Sequence, residues 1–290
     1  MKETELPWKM DVDVKAPTDT DRCDVADMVV LPSSNLLVAD FKNKSVKVVD
    51  VQTGCLLSHL HLPGYPYSLC LLPGDRAAVS LPFMRNIHII NVSTDQINLL
   101  KIVDVEVNCF GLAYMNDTFV VGCSAPQSAV ALINIEGNVL KSVSKDNAGN
   151  TLFSYPTCIP VTTESNAPSI YVSDWRTRTI TRLSEELKVL QTFQYPTQPG
   201  TNGMNPAGMV PAGAGQLLVR GCGRDNPRLW VLDTNTGESK ELLGLGYMHM
   251  EGDYNVSARV AFCPRLGRVY INTRYSAYGK SDFINVYEIS

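Results

Sequence analysis

The chain has 290 residues, 44% hydrophobic and 19% charged, which is enough apolar side chain for a substantial core and too much for a disordered chain. Its 25 Lys and Arg against 29 Asp and Glu leave a net charge of −4, excluding a surface built throughout to coat nucleic acid but not a local basic patch. No run approaches the roughly 18 uninterrupted apolar residues of a membrane span, and Met1–Pro7 lacks a signal-peptide core, so the expectation is a cytoplasmic chain without membrane contact.

Residues 1–7 read as a disordered tail, and 8–290 as a single domain. Trp8–Lys15 alternates apolar and polar residues, as a half-buried strand does. Met28–Asn35 then runs into Leu36–Asp50, a sequence of apolar run, polar turn and alternation, and Cys55–Leu60 reads as a more polar strand behind it. The same order recurs in Ser68–Asp75, Ala77–Leu81, Asn86–Asn91 and Ile97–Val103. Further units centre on Phe119–Cys123, Ile170–Asp174, Leu217–Gly221 and Val269–Thr273. Leu183–Leu190 has some helical periodicity, but it occupies the place of the turns Val51–Gly54 and Asn235–Gly237 in other units, and is read as a turn.

Aligned on Val38, Val79, Val121, Val172, Val219 and Ile271, the units lie 41, 42, 51, 47 and 52 residues apart. Six units of this period, each with four strands, predict an all-β, six-bladed β-propeller. A propeller must close its ring or expose strand edges. The last unit has three strands (258–263, 268–274, 282–289), so Trp8–Lys15 is expected to supply its outer strand.

The eight cysteines are scattered, with no Cys-x-x-Cys pair and no His at zinc-ligand spacing. They read as reduced, buried side chains, and no metal site or cofactor is expected from them. His59 and His61, two apart on an outer strand, share a face as metal ligands would, but no third ligand is evident in the sequence, and a solvent-facing pair is the plainer reading.

Val38-Ala-Asp-Phe-Lys-Asn-Lys-Ser-Val-Lys-Val-Val-Asp50 and Val172-Ser-Asp-Trp-Arg-Thr-Arg-Thr-Ile-Thr-Arg-Leu183 resemble NHL repeats, and Leu72–Leu81 and Ala214–Arg220 are similar to the C-terminal propellers of invertebrate tripartite-motif proteins. The resemblance spans residues 8–290 and is strongest in the first and fourth units. It implies an NHL-like propeller that recruits protein partners, or RNA, for a ubiquitin ligase. The RING, B-box and coiled-coil modules of that family have no counterpart in these residues, so no ubiquitin transfer is expected from them.

The loops between second and third strands share one face with the connectors between blades, and ligands commonly use loops held on such a scaffold. These loops are Asp40–Lys44, Leu81–Asn86, Cys123–Ser128, Asp174–Arg178, Gly221–Pro227 and Thr273–Ser281, where cations outnumber acids and aromatic residues interleave. Lys42, Arg85, Trp175, Arg176, Arg178, Arg224, Arg274 and Tyr275 are the expected binding residues. The cations would meet acidic or phosphate groups, and Trp175 and Tyr275 would anchor or stack. Acidic connectors (Asp19, Asp21, Asp24, Asp104, Glu106, Glu251, Asp253) offset that charge, which favours a protein partner over RNA. The connector 244–254, rich in Met, Tyr, His and acid, could touch a peptide or cap the mouth of the propeller.

Catalysis is not expected. No Gly-x-Ser-x-Gly, His-Glu-x-x-His or phosphate loop occurs. A calcium-dependent lactonase-like site, built from Asp24, Asn108, Glu251, Asp253 and Asn255 in the channel, is the enzymatic alternative. The expectation is therefore a monomeric, non-enzymatic binding module.

Overall fold

A computed structural model describes residues 7–124, 127–162, 167–194, 205–222, 228–244, 259–272 and 282–289. It is an all-β ring of six antiparallel sheets. Strand β1 (Trp8–Asp13) precedes blade one, which is β2 (Val25–Val30), β3 (Leu36–Asp40), β4 (Ser45–Val49) and β5 (Leu56–His61). Blade two is β6 (Leu69–Leu72), β7 (Arg76–Leu81), β8 (Asn86–Val92) and β9 (Ile97–Asp104); blade three is β10 (Cys109–Met115), β11 (Thr118–Cys123), β12 (Ala129–Ile133) and β13 (Val139–Val143). Blade four is β14 (Pro156–Cys158) and β15 (Val161–Thr162), then β16 (Ser169–Asp174), β17 (Thr179–Ser184) and β18 (Val189–Gln194). Blade five is β19 (Asn205–Gly213), β20 (Gln216–Cys222), β21 (Arg228–Asp233) and β22 (Ser239–Gly244), and blade six has β23 (Val260–Cys263), β24 (Arg268–Asn272) and β25 (Phe283–Glu288).

The aligned residues Val38, Val79, Val121, Val172, Val219 and Ile271 all lie in second strands and are at most 1% exposed. Each blade is packed between two others, so both faces of an inner strand need apolar side chains and the run is continuous rather than alternating. In β3, Leu36 and Val38 face the layer shared with blade six, while Leu37 and Ala39 face the layer shared with blade two. Six such layers, one per pair of neighbouring blades, make up the core.

The ring closes as the sequence predicts. β1 pairs antiparallel with β25, with Met10 opposite Val286 and Val12 opposite Ile284. Leu183–Leu190 holds no helix: it is the end of β17, a turn over residues 185–188 and the start of β18, with Leu187 in the left-handed region (φ 60°). The inner strand of blade four is in two pieces: it breaks around Pro160, which has no N–H for the ladder. Among the described residues the helical content is one 3-10 turn, Pro82–Met84, and no helix is long and apolar enough to cross a membrane.

Candidate functional site

In blades one and four the turn between second and third strands is built on a buried carboxylate. Asp40 accepts from the backbone N–H groups of Asp24 (3.0 Å) and Asn43 (3.3 Å) through Oδ1. Asp174 repeats the device in blade four: Oδ2 accepts from the N–H groups of Ser154 and Tyr155, and Oδ1 from those of Arg176 and Thr177. Each carboxylate thus fastens its own turn to the incoming connector. Lys44, Arg85 and Arg178 end three of these turns in the left-handed region, at φ 47°, 53° and 60°. The carbonyls of Lys44 and Arg85 accept the N–H groups of Leu62 and Val105 in the following connectors. The basic residues recur at a position fixed by backbone geometry, and the side chains of Arg85 and Arg178 are exposed.

Behind the first turn is a buried ion cluster. Lys47 Nζ lies 2.6 Å from Asp19 Oδ2, 2.7 Å from Asp40 Oδ2 and 3.4 Å from Cys23 Sγ. Asp19, Cys23 and Asp40 have the donor atoms of a metal site, but the ammonium group sits among them and supplies the positive charge. Burial opposes ionisation of Asp40, yet Lys47 and the Asp24 N–H outweigh it and hold the carboxyl below its ordinary value. Burial likewise opposes the charge on Lys47, and Asp40 and Asp19 more than restore it.

This corrects the charge balance expected from sequence. Asp19, Asp24, Asp40 and Asp174 are buried in turns and connectors and do not present acid at the surface. Lys42, Arg85, Arg176 and Arg178 are exposed. Of the acidic connector residues, Asp21, Asp104 and Glu106 remain exposed, so burial of the others reduces the acid on the described part of this face without removing it.

An aromatic ridge crosses the same face. Phe41 stacks on Tyr65 at 4.7 Å between ring centroids, and Phe83 meets both edge-on at 6.4 Å. Phe83 continues to Phe110 at 5.9 Å, and Phe110 to Tyr67 at 5.0 Å and Tyr155 at 5.4 Å. The outer end is open to solvent: Phe83 is 63% exposed, Met84 44% and Tyr65 40%. Lys44 Nζ lies 4.7 Å from the centre of the Tyr65 ring, a cation–π pair. Gly64 permits this packing, since a Cβ there would come within 2.5 Å of Met84 Sδ.

At the channel the polar groups are committed to one another. Arg259, 3% exposed, donates from Nε to the carbonyl of Ala26 (2.5 Å) and from Nη1 to that of Ala207 (3.1 Å), tying blade six to blades one and five. Its guanidinium lies 5.5 Å from the Tyr67 ring centre. Ser68 Oγ donates to Asp27 Oδ2 at 2.9 Å. Burial pushes the Cys158 thiol up to about 11, with Arg259 pulling the other way, so it is protonated at neutral pH and a poor nucleophile. Burial also raises the Tyr155 hydroxyl, as does its hydrogen bond with Tyr67.

Of the residues expected from sequence, the structure places Lys42, Arg85, Trp175, Arg176 and Arg178 on this face, Trp175 held by its N–H to the Tyr155 carbonyl at 3.1 Å. Arg224, Arg274 and Tyr275 lie outside the described residues, as do Glu251, Asp253 and Asn255 of the lactonase alternative and most of 244–254. The sequence reading missed Tyr65, Tyr67, Met84, Phe110 and Tyr155. Pro63-Gly-Tyr-Pro-Tyr67 carried the signal: two rings in a connector too short and proline-rich to bury them both.

No family model matches the sequence, and no curated protein matches it. Solved structures do. Virginiamycin B lyase from Staphylococcus aureus is 14% identical over 98% of this chain and 89% of its own, with a TM-score of 0.61. The Cps50 (Swd1) β-propeller domain from Myceliophteria thermophila is 12% identical over 92% and 84%, with a TM-score of 0.60. Hydrazine synthase from Kuenenia stuttgartiensis is 14% identical over 89% and 76%, with a TM-score of 0.61.

These likenesses correct the expectation that the chain is not an enzyme. Propellers of this shape include a lyase and a synthase, so the architecture does not exclude catalysis, and the absence of sequence motifs from unrelated folds does not either. At this level of identity the comparisons establish the fold: the chain is a six-bladed β-propeller.

Proposed function

We propose that this propeller docks a protein partner on the ridge formed by Phe41, Tyr65, Phe83 and Met84, with Lys42, Lys44 and Arg85 around it. The observation that carries this reading is the exposure of a contiguous aromatic and Met surface within a rim of cations. Aromatic residues, Met and Arg are enriched at protein interfaces, and a partner segment with an apolar anchor beside acidic side chains matches both features. Arg176, Arg178 and Trp175 in blade four extend the surface. Arg224, Arg274 and Tyr275 would extend it further round the ring. The likeness of the turns in blades one and four to NHL repeats, whose propellers recruit proteins, supports the same reading.

Display of a random peptide library on the immobilised protein should enrich acidic peptides with an aromatic or aliphatic anchor. Their affinity should fall at least tenfold in Tyr65→Ala/Phe83→Ala and stay unchanged in Trp8→Ala, which alters an exposed ring on the closing strand. Equal binding by both variants would refute the site. Stacked rings beside cations also suit single-stranded RNA. Binding of a labelled oligonucleotide that weakens steeply with salt, without peptide enrichment, would favour RNA instead.

A further inference from the structure

His59 and His61 are two apart on β5, so their side chains leave the same face of the strand. Their rings stand nearly perpendicular (86°) with centroids 5.5 Å apart. Both Nε2 atoms converge on one oxygen: Thr18 Oγ1 lies 3.1 Å from that of His59 and 3.3 Å from that of His61. A hydroxyl has a single proton, so it can donate to only one of the two nitrogens. The arrangement therefore gathers two imidazole nitrogens and an oxygen around one exposed point.

We propose that His59 and His61 bind a divalent late transition-metal ion of the nickel, copper and zinc group, with the Thr18 hydroxyl or water completing its shell. Neutral imidazole suits these ions, whereas calcium and magnesium prefer oxygen. The neighbouring Asp19 side chain is not counted among the ligands: it is fully buried in the ion cluster, with Oδ2 held by Lys47 and by the Ala16 N–H. With two nitrogen ligands the site is an open chelate. Thr18 belongs to the connector that leads from closing strand β1 to inner strand β2. A bound ion would fasten that connector to the outer strand of blade one and so reinforce the closure of the ring.

The test uses the full chain with Cys55→Ser, which removes an exposed thiol that would compete for the ion. Calorimetric titration with nickel or zinc chloride at pH 7.5 should show one ion per chain, and the metal should raise the melting temperature by mass action. In His59→Ala/His61→Ala the affinity should fall at least tenfold and the thermal shift should vanish, with the metal-free melting temperature little changed. Copper(II) bound to the parent should show two nitrogen ligands in its electron paramagnetic resonance spectrum. No saturable binding by the parent at millimolar metal would overturn the proposal, as would an unchanged isotherm in the double variant. Should the double variant fail to fold, His61→Gln alone gives the same contrast, with at least a tenfold loss expected and no loss counting against the site.

Discussion

Val12, near the start of the chain, stands opposite Ile284, near its end, and both are fully buried in the layer between blades six and one. That pairing converts two free edges into an interior ladder, and it continues into the connector, where the Cys23 N–H donates to Asp282 Oδ1 at 2.7 Å. Deleting residues 1–15 removes the strand and leaves β25 as an unpaired apolar edge, which invites pairing with other chains. Scanning calorimetry should show a melting temperature lowered by many degrees, and light scattering should show association. An unchanged melting curve would mean that the closing strand adds nothing to the fold.

Lys47→Met tests the buried ion cluster. Removing the ammonium leaves the Asp19 and Asp40 carboxylates buried without a counter-charge, a loss of about 3–5 kcal/mol for breaking a buried pair from one side. The folded-state value of Asp40 is lowered, so its contribution is present above about pH 4 and is lost as the pH falls further. That of Lys47 is raised, so its contribution is complete below about pH 10 and is lost as the pH rises beyond that. Urea unfolding of the parent should show this contribution level between these limits, and the variant should lose it throughout.

His88 occupies in blade two the place of Lys47 in blade one: Lys47 pairs with Val38 on the second strand, and His88 with Val79. Here the second strand ends in Leu81 instead of an aspartate, and among the described residues neither ring nitrogen of His88 has a hydrogen-bond partner. Burial pushes its pKa down, against a smaller opposing pull from Asp104. The unfolded chain therefore takes up this proton first, and stability that is complete above about pH 6.5 declines as the pH falls. His88→Leu should unfold at an equal or higher urea concentration at pH 7 and show a flatter decline between pH 6.5 and 5. A variant as acid-sensitive as the parent would rule His88 out as the cause.

Gly137 shows how tightly neighbouring blades mesh. It has φ +92°, and a Cβ there would lie 2.0 Å from the carbonyl oxygen of Asp104 in the outer strand of blade two. Gly137→Ala must strain the turn or push two blades apart, so it should cost well over about 1 kcal/mol, the ordinary scale of glycine effects. A chemical denaturation midpoint within error of the parent would refute that reading.

The aromatic ridge should separate binding from folding. Phe83 is mostly exposed, so Phe83→Ala should change stability by no more than about 0.5 kcal/mol while weakening the selected peptides. Phe110 is 6% exposed and supports the ridge from below; Phe110→Ala should cost about 3–5 kcal/mol, as buried aromatic truncations do. Equal stability losses in the two variants, read from thermal unfolding, would contradict the division into exposed and supporting rings.

The blade count, the order of strands and the closing strand were legible in the residues because a propeller repeats one local pattern. Each second strand needs a run of apolar side chains, each turn needs its polar and left-handed residues, and the missing fourth strand of the last unit could be matched to Trp8–Lys15, of which Trp8–Asp13 forms the strand. The site was only half legible. Cations at Lys42, Arg85, Arg176 and Arg178 could be assigned to turns, but whether an aspartate beside them faces water or is buried depends on the connector that reaches it from the preceding blade. Asp40 and Asp174 proved to be internal acceptors, and Tyr65, Phe83 and Phe110 became one surface only when three segments of the chain met. Local periodicity sets the strands; ion pairs, ridges and converging histidines arise from contacts between residues distant in sequence, which the folded ring alone decides.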